Sequence, residues 1–295
     1  MARLKMLRQM IFDGRGKPPA PAARPAPETW ADDAITGSCL GHATVLMNFL
    51  GVRILTDPVF STRVGPGFSP LVLGPKRYLQ PALRPRDFAP PDVILLSHAH
   101  FDHLDVESLR KFPRHTPIVT ARATGDLVRR WRFRHVHELD WGQTVKLQTR
   151  AGELSVTAVE VAHWGARMMR DDHRGYNGYL LKRKGASVCF AGDTAYTKAF
   201  ARLKKPGRPI DLMLMPIGAY DPWIRAHCSP EQAVAMANMA GAKYIVPIHH
   251  QTFKLSAEPM DEPAARLRAA LAGEPERLLA VSVGETFRVP MECDM

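Results

Sequence analysis

The chain has 295 residues, 45% of them hydrophobic, which is enough to bury a substantial core and excludes global disorder. Its 40 lysines and arginines against 29 acidic residues give a formal net charge of +11, which favours an anionic partner: a phospholipid surface, nucleic acid or a phosphorylated substrate. The four cysteines are widely spaced without a Cys-x-x-Cys pair, so neither a disulfide framework nor a thiolate zinc site is expected.

The N-terminal segment is basic and then rich in proline. Residues 1–12 place apolar side chains at helical spacing between basic ones, so this segment is either a membrane-surface helix or a segment packed on its own domain. Residues 14–27 predict an extended linker. We therefore predict a basic segment with linker over residues 1–29 and one folded domain over residues 30–295.

The cellular location follows from segments that the sequence lacks. It has no apolar run near the roughly 18 residues of a membrane span, and its first residues do not form a signal peptide. A cytoplasmic location is therefore expected, with peripheral membrane contact left open.

The folded part alternates between strand-like and helix-like patterns, which indicates the α/β class. Strands are predicted over residues 35–40, 44–49, 52–56, 93–96, 118–120, 154–161, 179–181, 187–190, 212–215, 244–248 and 278–289. Helices are predicted over residues 105–111, 125–130, 229–241 and 262–272. Between residues 59 and 91 prolines interrupt regular structure, yet residues 68–73 are largely apolar. This loop either lines a binding site or packs on the body of the domain.

The most informative stretch is residues 97–105, which follows a short buried strand and contains three histidines and two aspartates. His98 and His100 can point the same way from extended backbone, whereas Asp102 and His103 lie past a bend and can face a second point. Imidazole and carboxylate together suit catalytic zinc, or alternatively iron or manganese, better than a closed structural zinc site. The pattern therefore predicts two adjacent metal ions at a strand end.

Three further candidate ligands each follow a predicted strand: His163, Asp193 and His249. Strand ends at one edge of a layered α/β fold converge, so we expect these side chains to meet the metal loop. One metal ion is then held by His98, His100 and His163. The other is held by Asp102, His103 and His249, with Asp193 as the bridge. Two metals so arranged activate water and clamp a displacement reaction, which indicates a hydrolase.

Two other groups of strand-end residues remain ambiguous on sequence alone. Residues 41–44 and 56–58 are either plain turns or hydrogen-bond support for the metal ligands. His135 and His137 repeat the ligand spacing without a following carboxylate. We therefore place these two histidines on a half-exposed strand outside the site.

The ligand pattern resembles that of the metallo-β-lactamase-fold hydrolases. Shorter blocks resemble, more narrowly, the N-acylphosphatidylethanolamine-hydrolysing phospholipase D family, over residues 41–44, 56–61, 74–77, 163–164, 190–194 and 216–220. The resemblance implies an αββα sandwich of metallo-β-lactamase type with a two-zinc site at the sheet edge. It also implies attack of metal-activated water on the distal phosphodiester of a phospholipid, which gives phosphatidic acid and an N-acylethanolamine.

The resemblance also carries over roles for individual residues. Catalytic roles fall to Asp102, Asp193 and His227, and His227 matches a family position from which it could contact the phosphate or the leaving group. The alternative for His227 is a residue that merely precedes a helix cap. The last ligand is His249, and His250, where mammalian members carry tryptophan, is then a supporting residue or a pocket wall.

Other functions of the same fold stay open. A lactonase or a soluble phosphodiesterase is the main alternative, because the same metal centre attacks carbon or phosphorus. Nucleic acid is disfavoured as a partner, since the chain has no appended RNA-binding module and no concentrated basic stripe. A non-catalytic metal- or lipid-binding protein is disfavoured by the complete ligand set. The expected partners are thus a phospholipid substrate and an anionic membrane surface, and a homodimer is left open.

Overall fold

The computed structural model describes residues 16–69, 71–168 and 171–290, and these residues contain thirteen strands and four α-helices. The strands are β1 (Ile35–Gly41), β2 (Thr44–Phe49), β3 (Val52–Thr56), β4 (Val93–Leu96), β5 (Ile118–Ala121), β6 (Val136–Leu139), β7 (Thr144–Thr149), β8 (Gly152–Val159), β9 (Gly178–Arg183), β10 (Ala186–Phe190), β11 (Ile210–Pro216), β12 (Ala242–Ile248) and β13 (Thr286–Arg288). The helices are α1 (Val106–Leu109), α2 (Gly125–Arg129), α3 (Pro230–Ala240) and α4 (Glu262–Ala270). The predicted surface segment over residues 1–12 and Cys293 lie outside the described residues.

The strands form two mixed sheets. The first has the order β13-β1-β2-β3-β4-β5-β6, and the second has the order β12-β11-β10-β9-β8-β7. Strands β3 to β6 run parallel to one another, as do β10 to β12. Strand β8 has the same direction as β10, because each pairs antiparallel with β9 between them. Within each sheet, the carboxyl ends of these strands therefore lie at one edge.

Three apolar layers hold the fold together. Between the sheets, fully buried side chains such as Phe49 and Tyr179 form the central core. Met213 and Met236 belong to a second core that joins the outer face of the second sheet to α3 and α4. Leu109 of α1 belongs to the third, on the outer face of the first sheet. Helices thus cover the outer faces of two packed sheets, which confirms the predicted α/β class and αββα sandwich.

Local signals explain where the longest helix begins and ends. Ser229 caps α3 through its side chain, which accepts a hydrogen bond from the Gln232 N–H, and Pro230 occupies the first helical position. Gly241 ends the helix in the left-handed conformation, at φ 72°.

None of the helices in the described residues is long and apolar enough to cross a membrane.

Two elements differ from the prediction. The closing strand expected over residues 278–289 is confined to β13, because the chain turns at Gly284, where an added Cβ would collide with the carbonyl oxygen of Ala23. Strand β7 was not expected. It forms one edge of the second sheet, and only Leu147 among its residues is buried.

The described part of the proline-rich segment runs along the domain. The Pro19 carbonyl accepts a hydrogen bond from the Gln80 N–H (2.8 Å), and the Pro18 carbonyl accepts one from the Gln80 side chain (2.8 Å). Residues 27–29 then form a short 3-10 turn before β1. The boundary near residue 30 stays a prediction.

Candidate metal centre

The predicted ligands follow four strands from both sheets. The loop after β4 carries His98, His100, Asp102 and His103. His163 follows β8, Asp193 follows β10, and His249 follows β12. Although 151 residues separate the first of these side chains from the last, the parallel strand directions bring all seven together at one edge of the sandwich. Their roles as individual ligands stay predictions, which the geometry below supports.

The first group consists of three histidines. His100 Nδ1 lies 2.8 Å from His98 Nε2 and 3.3 Å from His163 Nε2. All three atoms lie within 4.8 Å of one another. Three imidazole nitrogens converging in this way match the ligand number of an open catalytic zinc site.

The second group adds carboxylates. Asp102 Oδ2 lies 3.6 Å from both His103 Nε2 and His249 Nε2. Asp193 Oδ2 lies 3.1 Å from the same two nitrogens and 3.7 Å from His163 Nε2. Asp193 therefore contacts histidines of both groups, as a bridging carboxylate must.

Hydrogen bonds on the far side of the rings orient three of the histidines. Asp57, whose side chain is completely buried, lies 2.6 Å from His103 Nδ1 and accepts hydrogen bonds from the Ser97 N–H and hydroxyl. The hydroxyl of Ser97 lies 2.9 Å from His98 Nδ1. His163 Nδ1 lies 2.8 Å from the Ala226 carbonyl. With their Nδ1 atoms so engaged, these rings turn Nε2 toward the centre.

The buried donor set fits transition-metal ions. Among the described residues, His103 Nε2, His249 Nε2 and Asp193 Oδ1 are buried and make no hydrogen bond of good geometry, although both nitrogens lie 3.1 Å from Asp193 Oδ2. Burial also lowers the pKa of His98 and His163 well below the usual range, so both rings are neutral. Although burial alone would raise the pKa of Asp193, the charges on His103 and His249 hold it well below its usual range. Neutral imidazole and ionised carboxylate are the states that bind metals, so His98, His163 and Asp193 are in that state, whereas His103 and His249 must each give up a proton when a metal ion binds.

The structure separates the remaining histidines. His227 Nδ1 lies 3.8 Å from Asp193 Oδ2, beside the cluster. His137 lies on the half-exposed strand β6 and His135 directly precedes it, and neither belongs to a group of possible ligand atoms among the described residues. His250 is buried, but the groups of possible ligand atoms among the described residues do not include it.

Sequence reasoning left open whether His42 supports the metal ligands, and the structure places it in contact with one of them. This residue lies in the turn between β1 and β2, and its Nε2 atom is 2.9 Å from Asp102 Oδ2. The turn falls in one of the ambiguous strand-end groups, and the other group contributes Asp57. A polar residue at the ligand-bearing edge of a sheet was therefore the available signal for both.

We expect the purified protein to hold about two transition-metal ions per chain, and a chelator to abolish its activity. Burial lowers the pKa of His249, but Asp193 and Asp102 outweigh burial and raise it to about 9, so a proton occupies this ring when no metal does. Metal binding must displace that proton, and the affinity should fall as the pH falls. Elemental analysis after dialysis at several pH values measures the metal content and its dependence on pH. Activity with and without the chelator measures the requirement for metal. Full activity in metal-free protein would contradict the expectation.

The chain is similar to a known protein family and to individual proteins of other organisms. Residues 52–250 match the family described as beta-lactamase superfamily domain. An uncharacterized protein of Mycobacterium tuberculosis is 33% identical over 272 residues, which cover 89% of this chain and 71% of that protein. The N-acyl-phosphatidylethanolamine-hydrolyzing phospholipase D 1 of Caenorhabditis elegans is 27% identical over 276 residues, 87% of this chain and 76% of the relative.

A solved structure has the same fold. The isothiocyanate hydrolase from Delia radicum gut bacteria superimposes with a TM-score of 0.67, covering 85% of this chain and 98% of the other at 18% sequence identity. At that identity the likeness concerns the fold alone.

Proposed function

Because the chain belongs to the beta-lactamase superfamily and is a metal-dependent hydrolase, we propose that it cleaves a membrane phospholipid at the headgroup-side phosphodiester. The substrate class is N-acylphosphatidylethanolamine, and the products are phosphatidic acid and an N-acylethanolamine. The proposed metals are two zinc ions, with iron or manganese as alternatives.

The three cysteines in the described residues are buried and free, which supports a reducing, cytoplasmic location.

The chemistry needs a nucleophile and a stabilised phosphoryl group. Two metal ions held by these residues would supply both, since bound metal ions lower the pKa of water and polarise phosphoryl oxygens. Asp193 orients the centre through its contacts to both groups of histidines. Burial lowers the pKa of His227 to about 4, so its ring is neutral near pH 7 and has one N–H to donate to a phosphoryl or leaving oxygen. In this hydrolysis the oxygen of water bonds to phosphorus as the bond from phosphorus to the headgroup oxygen breaks. One proton of the water goes to the leaving alcohol, and the other stays with the phosphate.

The observation that carries the proposal is the apolar character of the face around the metal centre. The large apolar side chains that are exposed in the described residues all lie in loops that follow strand ends at this edge: Phe68, Leu71, Leu73, Tyr78, Trp141, Trp164, Met168, Tyr196 and Ile224. Where exposed apolar side chains form a contiguous patch, they mark an interaction site for an apolar partner. A face of this kind supports a lipid substrate more than a soluble one.

A groove on the same face combines apolar and cationic side chains. It has a volume of about 490 Å³ and lies beside the metal loop, where Phe101 forms part of its wall. Phe68 and Val72 line it from the loop over residues 59–91, and Arg130 and Arg167 line it from other segments. Two carboxylates, those of Asp105 and Glu107, line it as well. Acyl chains match the first type of contact and a phosphate matches the second.

Hydrolysis in water enriched in oxygen-18 tests the site of cleavage. The label should enter phosphatidic acid, because water attacks phosphorus and the alcohol leaves with its own oxygen. A panel of N-acylated and ordinary phosphatidylethanolamine, bis(p-nitrophenyl) phosphate, a lactone and single-stranded RNA tests the substrate class. Label in the N-acylethanolamine, or turnover confined to the lactone, would overturn the proposal.

Membrane contact can be tested separately. Full burial of one large apolar side chain is worth about 1.5–3 kcal/mol, so replacing Phe68 and Leu71 by serine should weaken binding to anionic vesicles at least about tenfold. Binding should also weaken as salt rises, since surface charges are screened over about 8 Å at physiological ionic strength. Turnover of bis(p-nitrophenyl) phosphate is the control and should change little. Vesicle binding unaffected by both changes would remove the membrane from the proposal.

A further inference from the structure

The turn between β1 and β2 holds His42 in an unusual backbone conformation. Its φ is 58°, in the left-handed region that non-glycine residues rarely adopt. Both sides of its backbone are fixed by the segment that carries His249. The His42 N–H donates to Thr252 Oγ1 (2.6 Å), and the His42 carbonyl accepts a hydrogen bond from the His249 N–H (2.9 Å). Such outliers persist where the surroundings determine them and often mark a functional position.

The side chain of His42 reaches the metal cluster from inside the protein. It is 1% exposed, and its ring centroid lies 4.1 Å from that of His249. Its Nε2 atom is 2.9 Å from Asp102 Oδ2, the same oxygen that lies 3.6 Å from His103 Nε2 and His249 Nε2. His42 therefore contacts the carboxylate on which the second group of ligands depends.

Hydrogen bonding identifies the tautomer of this ring. A neutral imidazole carries one N–H. A proton on Nε2 has Asp102 as its acceptor, whereas a proton on the buried Nδ1 would have no partner among the described residues. Because an unpaired buried donor is costly, the Nε2–H tautomer is favoured, and in that form Nε2 cannot bind a metal ion.

The position of His42 also differs from that of the proposed ligands. His103 and His249 each lie 3.1 Å from Asp193 Oδ2. No group of possible ligand atoms in the described part of the chain joins His42 to Asp193, although one joins it to Asp102, His103 and His249. His42 thus joins the second group through Asp102 and not through the bridging Asp193, as expected of a residue that orients a ligand by a hydrogen bond.

We propose that His42 is a positioning residue for Asp102. Its Nε2–H bond holds the carboxylate so that Oδ2 faces His103 and His249, and it thereby sets the affinity of the second metal ion. The proposal concerns the metal centre alone and does not depend on which substrate is cleaved.

The test compares zinc binding by three variants of the full chain. In His42→Phe the ring stays but the donor is lost, and the second zinc ion should bind about 10–100-fold more weakly while two ions per chain are still reached in excess zinc. In His42→Gln the amide can donate to Asp102, and most of the affinity should return. The matched control is His137→Phe, which should bind zinc as the parent does. Chelator competition gives the affinities, and elemental analysis gives the stoichiometry.

Three outcomes would overturn the proposal. Unchanged zinc affinity in His42→Phe would show that the hydrogen bond has no role. A limit of one zinc ion per chain in both His42→Phe and His42→Gln would make His42 a ligand. If His42→Phe does not fold, as judged by the melting temperature of the metal-free protein, His42→Asn replaces it. An asparagine amide lies near the Nδ1 position and cannot reach Asp102, so equal affinity in His42→Asn and His42→Gln would also refute the proposal.

Discussion

Replacement of Asp193 by alanine is expected to lower kcat by more than about 100-fold, the upper range for losing a residue that only supports a ligand. Asp193 is buried, and its Oδ2 atom lies within 3.8 Å of four histidines. Its removal leaves those rings without a carboxylate between them, so the cluster should also lose metal. Steady-state kinetics together with elemental analysis measure both effects.

The control for this variant is His137→Ala, because His137 lies on β6 and belongs to none of the groups of possible ligand atoms in the described part of the chain. Its activity and metal content should match those of the parent. An Asp193→Ala protein with two metal ions and full turnover would contradict the assignment of the bridge. Equal losses in the two variants would show instead that the boundary of the site is wrong.

Replacement of Asp57 by alanine is expected to destabilise the fold by about 3–5 kcal/mol, the usual cost of removing one partner from a buried pair. The Asp57 side chain is fully buried, 2.6 Å from His103 Nδ1, and also accepts hydrogen bonds from Ser97. Alanine would leave the His103 and Ser97 groups without partners in the interior. Denaturant unfolding of the metal-free protein measures the change.

An exposed aspartate provides the comparison for Asp57. Asp140 pairs with Arg122 at 3.2 Å, and both side chains are more than half exposed. Asp140→Ala should therefore change the stability by no more than about 0.5 kcal/mol. If Asp57→Ala proved as mild as Asp140→Ala, the hydrogen bonds beneath the metal loop would not stabilise the fold.

Elements with strong local signals could be predicted from the sequence. The cap at Ser229, the proline after it and the glycine at 241 define α3 without reference to the rest of the chain. The strand before the metal loop is a short apolar run, and residues 93–96 are all buried as expected. The clustering of His98, His100, Asp102 and His103 follows from their spacing in one loop.

Features that depend on distant contacts could not be predicted. Strand β7 is an exception, because residues 144–149 alternate polar and apolar side chains, with Val145 and Leu147 toward the core, and this local signal was overlooked. The turn at Gly284 depends on the backbone of Ala23, which is 261 residues away in the sequence. The hydrogen bond from His42 likewise reaches a carboxylate 60 residues further along the chain. Spacing in the sequence carries no information about such partners.

The division of the candidate ligands between the two sheets has a consequence for the stability of the folded protein. The loop after β4 belongs to the first sheet, whereas His163, Asp193 and His249 follow strands of the second. An ion held between them acts as a cross-link that joins the sheets at this edge. A ligand that binds only the folded chain stabilises it by about 2.7 kcal/mol at 100 times its dissociation constant. We therefore expect the protein without metal to be digested faster by added proteases than the same protein in excess metal.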